Sequence, residues 1–78
     1  MPHISVKMLK GRTEEQKKRL SSALSEALIK TLGVSDTHVS VTIEDFTPVE
    51  WQDEFKREIT DKKAVLYKAP GYDPKDLL

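Results

Sequence analysis

The chain has 78 residues, with thirteen Lys and Arg against thirteen Asp and Glu, 37% hydrophobic residues and no cysteine. That length admits one compact domain, expected to span residues 1–78, with a thin core. Balanced charge gives no general electrostatic pull toward nucleic acid or an anionic membrane, and the lack of cysteine excludes disulfides and thiolate metal sites.

No apolar run approaches the roughly 20 residues of a membrane span, and the amino end lacks the hydrophobic stretch of a signal peptide, so a cytoplasmic protein is expected. A domain this small buries only about 60% of the surface that its unfolded chain exposes. With disulfides excluded, association of copies is the common remaining support, and a homo-oligomer is expected.

From Pro2 to Met8 the residues alternate, Ile4, Val6 and Met8 against His3, Ser5 and Lys7, which is the pattern of a half-buried strand. Lys10 and Gly11 break it, and Thr13 with Gln16 has the form of a capping box at a helix start. Leu20, Ala23, Leu24, Ala27, Leu28 and Leu32 then recur at helical spacing, and Gly33 suits the left-handed conformation just past a helix end.

Val39, Val41 and Ile43 alternate with Ser40, Thr42 and Glu44 as a second strand. Strand, helix and strand in this order, with a long connection, predict a right-handed βαβ unit with parallel strands. Thr47, Pro48 and Glu50 resemble a second capped helix start, leading into a short helix through Trp51 and Phe55. Ala64 to Tyr67 leave both a continued helix and a short strand open, and Pro70, Gly71 and Pro74 mark an irregular tail.

The expected class is α+β: a βαβ unit with a short C-terminal helix and tail, completed by oligomerisation. Two strands and one helix leave open sheet edges and an uncovered face, which partner subunits would have to cover.

The familiar catalytic patterns are missing: no cysteine nucleophile, no Gly-rich phosphate loop and no His-x-x-x-His helix for zinc. His3 and His38 read as strand positions without ligand spacing, so no metal site is expected. Pro2 stands apart. A small second residue favours removal of the initiator Met1, and removal would leave a secondary amine. A reference α-amino group titrates at roughly 7.7 to 8.0, and apolar burial or a neighbouring arginine disfavours its protonated form, so this amine can be tuned into a base.

The opening strand Pro2-His3-Ile4-Ser5-Val6-Lys7, the turn Leu9-Lys10-Gly11-Arg12 and the helix start Thr13-Glu14-Glu15-Gln16-Lys17 resemble the 4-oxalocrotonate tautomerase family without gaps. The similarity continues through Ser25-Glu26-Ala27, the second strand and Trp51. Trp51-Gln52, the charged segment after it and Lys68-Ala69-Pro70-Gly71-Tyr72 are similar to the long-tailed PptA-type branch, whose members form dimers and ketonise phenylenolpyruvate-like compounds; shorter members are hexamers.

The resemblance implies that Pro2 is the catalytic amino-terminal base, that Arg12 binds a substrate carboxylate, and that Trp51 forms an apolar wall of the pocket. Ser40 stands where the short hexameric members carry a second arginine. A hydroxyl cannot neutralise a carboxylate, so a monocarboxylate enol is favoured unless Lys7 or Lys68 supplies the charge.

The implied activity is cofactor-independent enol–keto tautomerisation of a small 2-hydroxyalkenoate, by a homo-oligomer in which a dimer is favoured over a hexamer. Two alternatives stand beside it. One is a dehalogenase or hydratase on the same scaffold, with Glu44 or Glu50 activating water; the other is a non-catalytic βαβ association module that keeps Met1.

Overall fold

Alternation at the amino end becomes strand β1 (His3–Leu9) in the computed structural model, which describes all residues from Met1 to Leu78. Ile4, Val6 and Met8 are half-buried, whereas His3 and Ser5 are exposed. Gly11 turns the chain at φ 128°, a conformation that side-chain-bearing residues rarely adopt, and so delivers Arg12 and the next helix.

Helix α1 (Glu14–Leu32) starts on both halves of the capping box: Gln16 N–H donates to Thr13 Oγ1 at 3.1 Å and Thr13 N–H donates to Gln16 Oε1 at 2.9 Å. It ends where expected. Gly33, at φ 69°, donates its N–H to Ile29 O at 3.0 Å. Leu20, Leu24 and Leu28 form the half-buried stripe, but Ala23, Ala27 and Leu32 are exposed, so the apolar face is narrower than its sequence pattern.

Between α1 and the second strand lies a single 3₁₀ turn, Asp36–His38. His38 is therefore not a strand residue, contrary to its reading from sequence. The Ser35 side chain accepts from Thr37 N–H and Val39 N–H returns to Asp36 O, and this local bonding holds the segment out of the ladder.

Strand β2 (Ser40–Phe46) pairs with β1 in a two-stranded sheet. Ser40 N–H donates to Pro2 O at 3.3 Å and Lys10 N–H to Phe46 O at 2.9 Å, so the residue numbers rise together and the strands are parallel. His3 meets Ser40 and Lys7 meets Glu44, each pair 37 residues apart, which fixes one register along the sheet. His3, Ser5 and Lys7 thus share one face with Ser40, Thr42 and Glu44, and the half-buried Val41 and Ile43 alternate with them.

The chain forms two compact units. Met1–Lys7 and Gly11–Glu44 make the first; Met8–Lys10 and Asp45–Leu78 make the second. The first unit is the strand–helix–strand motif. In the second, helix α2 (Pro48–Glu58) starts on another complete capping box, with Glu50 N–H donating to Thr47 Oγ1 at 3.2 Å and Thr47 N–H to Glu50 Oε1 at 2.8 Å. Pro48 occupies its first turn, where a missing N–H costs nothing.

Beyond α2, a kinked 3₁₀ segment covers Thr60–Val65, so Ala64 and Val65 join neither a continued α-helix nor a strand. The tail is more ordered than its Pro and Gly content suggests. It closes in a 3₁₀ turn, Pro74–Leu77, capped by Asp73, whose Oδ1 accepts from Lys75 N–H at 3.0 Å. Gln52 Nε2 donates to Pro74 O at 2.8 Å, and the Tyr72 ring stands edge-on to Phe55 with centroids 5.7 Å apart.

Trp51 and Glu54, both on α2, are the buried residues of the chain, at 7% and 5% exposure. Every other large apolar side chain remains at least partly open.

Candidate active site

Pro2 sits immediately before β1, where its lack of an N–H removes no ladder bond. It is half-buried, and its carbonyl is fixed by the Ser40 N–H at 3.3 Å. Met1, by contrast, is 90% exposed. The backbone that carries the candidate base is thus anchored to the neighbouring strand through atoms that loss of Met1 leaves untouched.

Ser40 does more than hold Pro2. Its Oγ lies 2.7 Å from His3 Nδ1, and Thr42 Oγ1 lies 3.4 Å from His3 Nε2. The imidazole is therefore spanned by two hydroxyls of β2. This cluster was not read from the sequence. The signal for it is the parallel register, which sets position 3 beside position 40 once the two strands are paired.

Arg12 follows the Gly11 turn and precedes the α1 cap, in the same unit as Pro2 and Ser40. It is exposed and takes no part in the chain's ion pairs. A guanidinium so placed keeps its planar set of donors for an incoming carboxylate. Lys7, considered as a second cation, is engaged: its Nζ lies 2.7 Å from Glu44 Oε1. Lys68 is exposed, in the second unit.

Trp51 belongs to the second unit, where it anchors the packing. The Phe46 ring lies 6.0 Å from it at 55°, and the indole Nε1–H donates to Tyr72 Oη at 2.9 Å. Both contacts satisfy what a buried indole needs, an apolar neighbour for the ring and an acceptor for its N–H.

The carboxylates considered for activating water are occupied. Glu44 is paired with Lys7. Glu50 closes the α2 capping box, and the Thr47 backbone N–H, followed by the Thr47 hydroxyl, holds its carboxyl below the usual carboxylate range. A carboxylate held in this way is a weaker base. No group of three or more His, Cys, Asp or Glu side chains is arranged to hold a metal ion, and no helix is long and apolar enough to cross a membrane.

Comparison with known proteins gives the family. The family model described as tautomerase enzyme matches residues 2–57. Tautomerase PptA of Klebsiella pneumoniae subsp. pneumoniae is 37% identical over 73 residues, which cover 92% of this chain and 97% of that protein. The crystal structure of YwhB, a homologue of 4-oxalocrotonate tautomerase, matches with a TM-score of 0.63 at 30% identity, over 99% of this chain and 100% of that one. A heterohexamer 4-oxalocrotonate tautomerase from Chloroflexus aurantiacus J-10-fl matches with a TM-score of 0.62 at 35% identity, over 65% of this chain and 82% of that one.

The chain belongs to the tautomerase family. Its βαβ architecture is that of the 4-oxalocrotonate tautomerase homologues, and its function is that of an isomerase-type tautomerase.

Proposed function

We propose that the chain is a cofactor-independent enol–keto tautomerase acting on 2-hydroxyalkenoates of the enolpyruvate type, with Pro2 as general base after loss of Met1. The observation that carries this reading is the contrast at the amino end: Pro2 is half-buried and its carbonyl is bonded to Ser40, while Met1 is 90% exposed.

The neutral Pro2 nitrogen accepts the enol O–H proton. The oxygen electron pair forms the carbonyl as the C=C pair takes a proton at carbon from the prolinium, so one proton leaves oxygen, one arrives on carbon and the base is regenerated. Arg12 holds the substrate carboxylate, and its charge favours the neutral amine and offsets the developing enolate. Trp51 supplies apolar surface for the substrate's side chain. Ser40 supplies a hydroxyl, already shared with His3, where a second carboxylate would need a cation, which favours monocarboxylate substrates.

The engagement of Glu44 and Glu50 counts against the dehalogenase or hydratase alternative, which needs a free water-activating carboxylate.

The working form in this reading is a homodimer of single-domain subunits in the cytoplasm. The chain exposes 5979 Å². A monomeric protein of 8.9 kDa is expected to expose about 4,800 Å². The surplus, on the order of 1,200 Å², exceeds the ~800 Å² that each partner of a standard interface buries. The sheet face of His3, Ser5, Ser40, Thr42 and Glu44 is polar and exposed, so it requires no apolar cover, which favours a dimer over a hexamer.

The test is processing joined to turnover. Mature protein, shown by intact mass to lack Met1, should ketonise phenylenolpyruvate in an ultraviolet absorbance assay. The same chain with a retained Met1 or an added amino-terminal tag should be nearly inactive, because an amide nitrogen is not basic. Equal activity of both forms, or no turnover above the solvent rate by the processed form, overturns the proposal.

A further inference from the structure

The hydroxyl of Tyr72 accepts the Trp51 indole N–H at 2.9 Å, and the same tyrosine ring stands 5.7 Å from Phe55, one turn further along α2. Beside it, Gln52 Nε2 donates both to Pro48 O at 3.0 Å, within its own helix, and to Pro74 O at 2.8 Å in the tail. Positions 51 and 55 therefore meet the tail at Tyr72, and position 52 meets it at Pro74. These contacts lie wholly within the second unit.

We propose that Tyr72 is a positioning residue that fixes the plane of the Trp51 indole and thereby sets the enzyme's discrimination among 2-keto and 2-enol acids by their apolar side chains. The inference rests on the assignment of Trp51 to the substrate's apolar part. Only 7% of Trp51 is exposed, so a ligand meets a small rim of the ring. A modest rotation changes a large share of so small an area. Phe46 restrains the ring by contact at 6.0 Å, but an apolar contact resists rotation weakly, whereas a hydrogen bond to the indole N–H is directional. Tyr72 is the residue that supplies this directional restraint.

Trp51 is the sole tryptophan, so its emission reports this contact without a label. The experiment compares the full-length, processed wild type with Tyr72→Phe, which keeps the ring against Phe55 and removes only the acceptor, and with Trp51→Phe and the double variant. Two readouts are taken: emission and acrylamide quenching of Trp51 without ligand, and calorimetric affinities for phenylpyruvate and pyruvate, which share the 2-keto carboxylate and differ in the aromatic ring.

Tyr72→Phe should change the emission and raise quenching of Trp51. Its phenylpyruvate affinity should fall by about threefold, and by no more than about the tenfold that one hydrogen bond's worth of pre-organisation allows, while pyruvate affinity changes by less than about twofold. In the Trp51→Phe background, Tyr72→Phe should have no further effect on the ratio of the two affinities.

Unchanged Trp51 emission, an equal loss for both acids, or a persistent effect of Tyr72→Phe in the Trp51→Phe background overturns the proposal, as does a wild type that does not favour phenylpyruvate over pyruvate. A wild type that binds phenylpyruvate with the expected Tyr72 dependence yet ketonises no enol overturns the Pro2 mechanism and leaves the role of Tyr72 standing. Melting curves of the four proteins set the temperature of the affinity measurements below the lowest midpoint, where every variant is folded.

Discussion

Lys7 and Glu44 face each other across the parallel sheet at 2.7 Å, two steps along the same polar face from the contact between His3 and Ser40. The pairing has a consequence for substrate choice. Of the two lysines considered as replacements for a second carboxylate-binding arginine, Lys7 already has a counter-ion and Lys68 lies in the second unit, so the proposed site has the uncharged Ser40 hydroxyl on this face.

Phenylenolpyruvate should accordingly be ketonised with a higher kcat/KM than 2-hydroxymuconate, and Ser40→Arg should narrow or reverse the difference. A new charge-assisted hydrogen bond is worth about 1.5 to 3 kcal/mol, or roughly 10- to 100-fold in favour of the dicarboxylate. Parallel assays on the two enols decide the matter; a Ser40→Arg enzyme with an unaltered preference would place the second carboxylate elsewhere.

Arg12→Ala should lose about 2 to 4 kcal/mol of transition-state stabilisation, the range seen when a charged hydrogen-bond partner or an oxyanion donor is removed. Both KM and kcat should suffer, because in the proposed mechanism the same guanidinium holds the ground-state carboxylate and meets the enolate charge. Steady-state kinetics that match the wild type would return Arg12 to the ordinary surface.

Turnover should depend on pH through the amino-terminal amine. In the proposed mechanism deprotonation creates the base, so kcat/KM should rise with pH through the amine's titration and then level off. Pro2→Ala keeps a primary amine and should be impaired, not dead. A profile that falls over the same range would mean that the protonated amine is the active form, and the acid-catalysed alternatives would then regain ground.

The cap of α2 offers a test of the fold alone. Thr47→Ala should destabilise the protein by about 1 kcal/mol, since it removes the acceptor for the Glu50 N–H. Glu50, whose carboxyl is held low chiefly by the Thr47 backbone N–H, contributes stability that is present above the unfolded value of 4.5 and disappears as pH falls through the lower folded value. The stability difference between wild type and Glu50→Gln, followed by chemical denaturation, should therefore be largest near neutrality and shrink in acid. A difference that grows as the pH drops would contradict the sign.

Native mass measurement of the processed protein should find mainly dimer at micromolar concentration. Predominant hexamer would mean that the polar sheet face takes part in packing despite its composition.

How far the sequence led differs by residue, and the differences have physical reasons. The starts of α1 and α2 were legible because a capping box is a local device: Thr13 with Gln16, and Thr47 with Glu50, carry the whole signal within one turn. Gly33 ended α1 on the same terms. His38 was misread because alternation near Val39 suggested strand, whereas Ser35 and Asp36 supply bonds that tie up the local backbone first. The order of the tail was not legible at all. What organises it is the bond between Trp51 and Tyr72, 21 residues apart, and no pattern within the tail announces so distant a partner. Among the candidate site residues, the positions of Pro2 and Ser40 followed from the strands, but the sharing of Ser40 with His3 required the register.

The bond from Ser40 N–H to Pro2 O sets the first residues of the chain into the sheet, and this has a consequence for how such a protein can grow. A gene duplicated in tandem would repeat the strand, the helix and the caps, and each copy could fold. Only the leading copy would carry a free amine, because residue 2 of every later copy would be joined to what precedes it. With the terminal amine as the base, as proposed, further active sites come from assembling separate chains, each trimmed on its own, rather than from lengthening one.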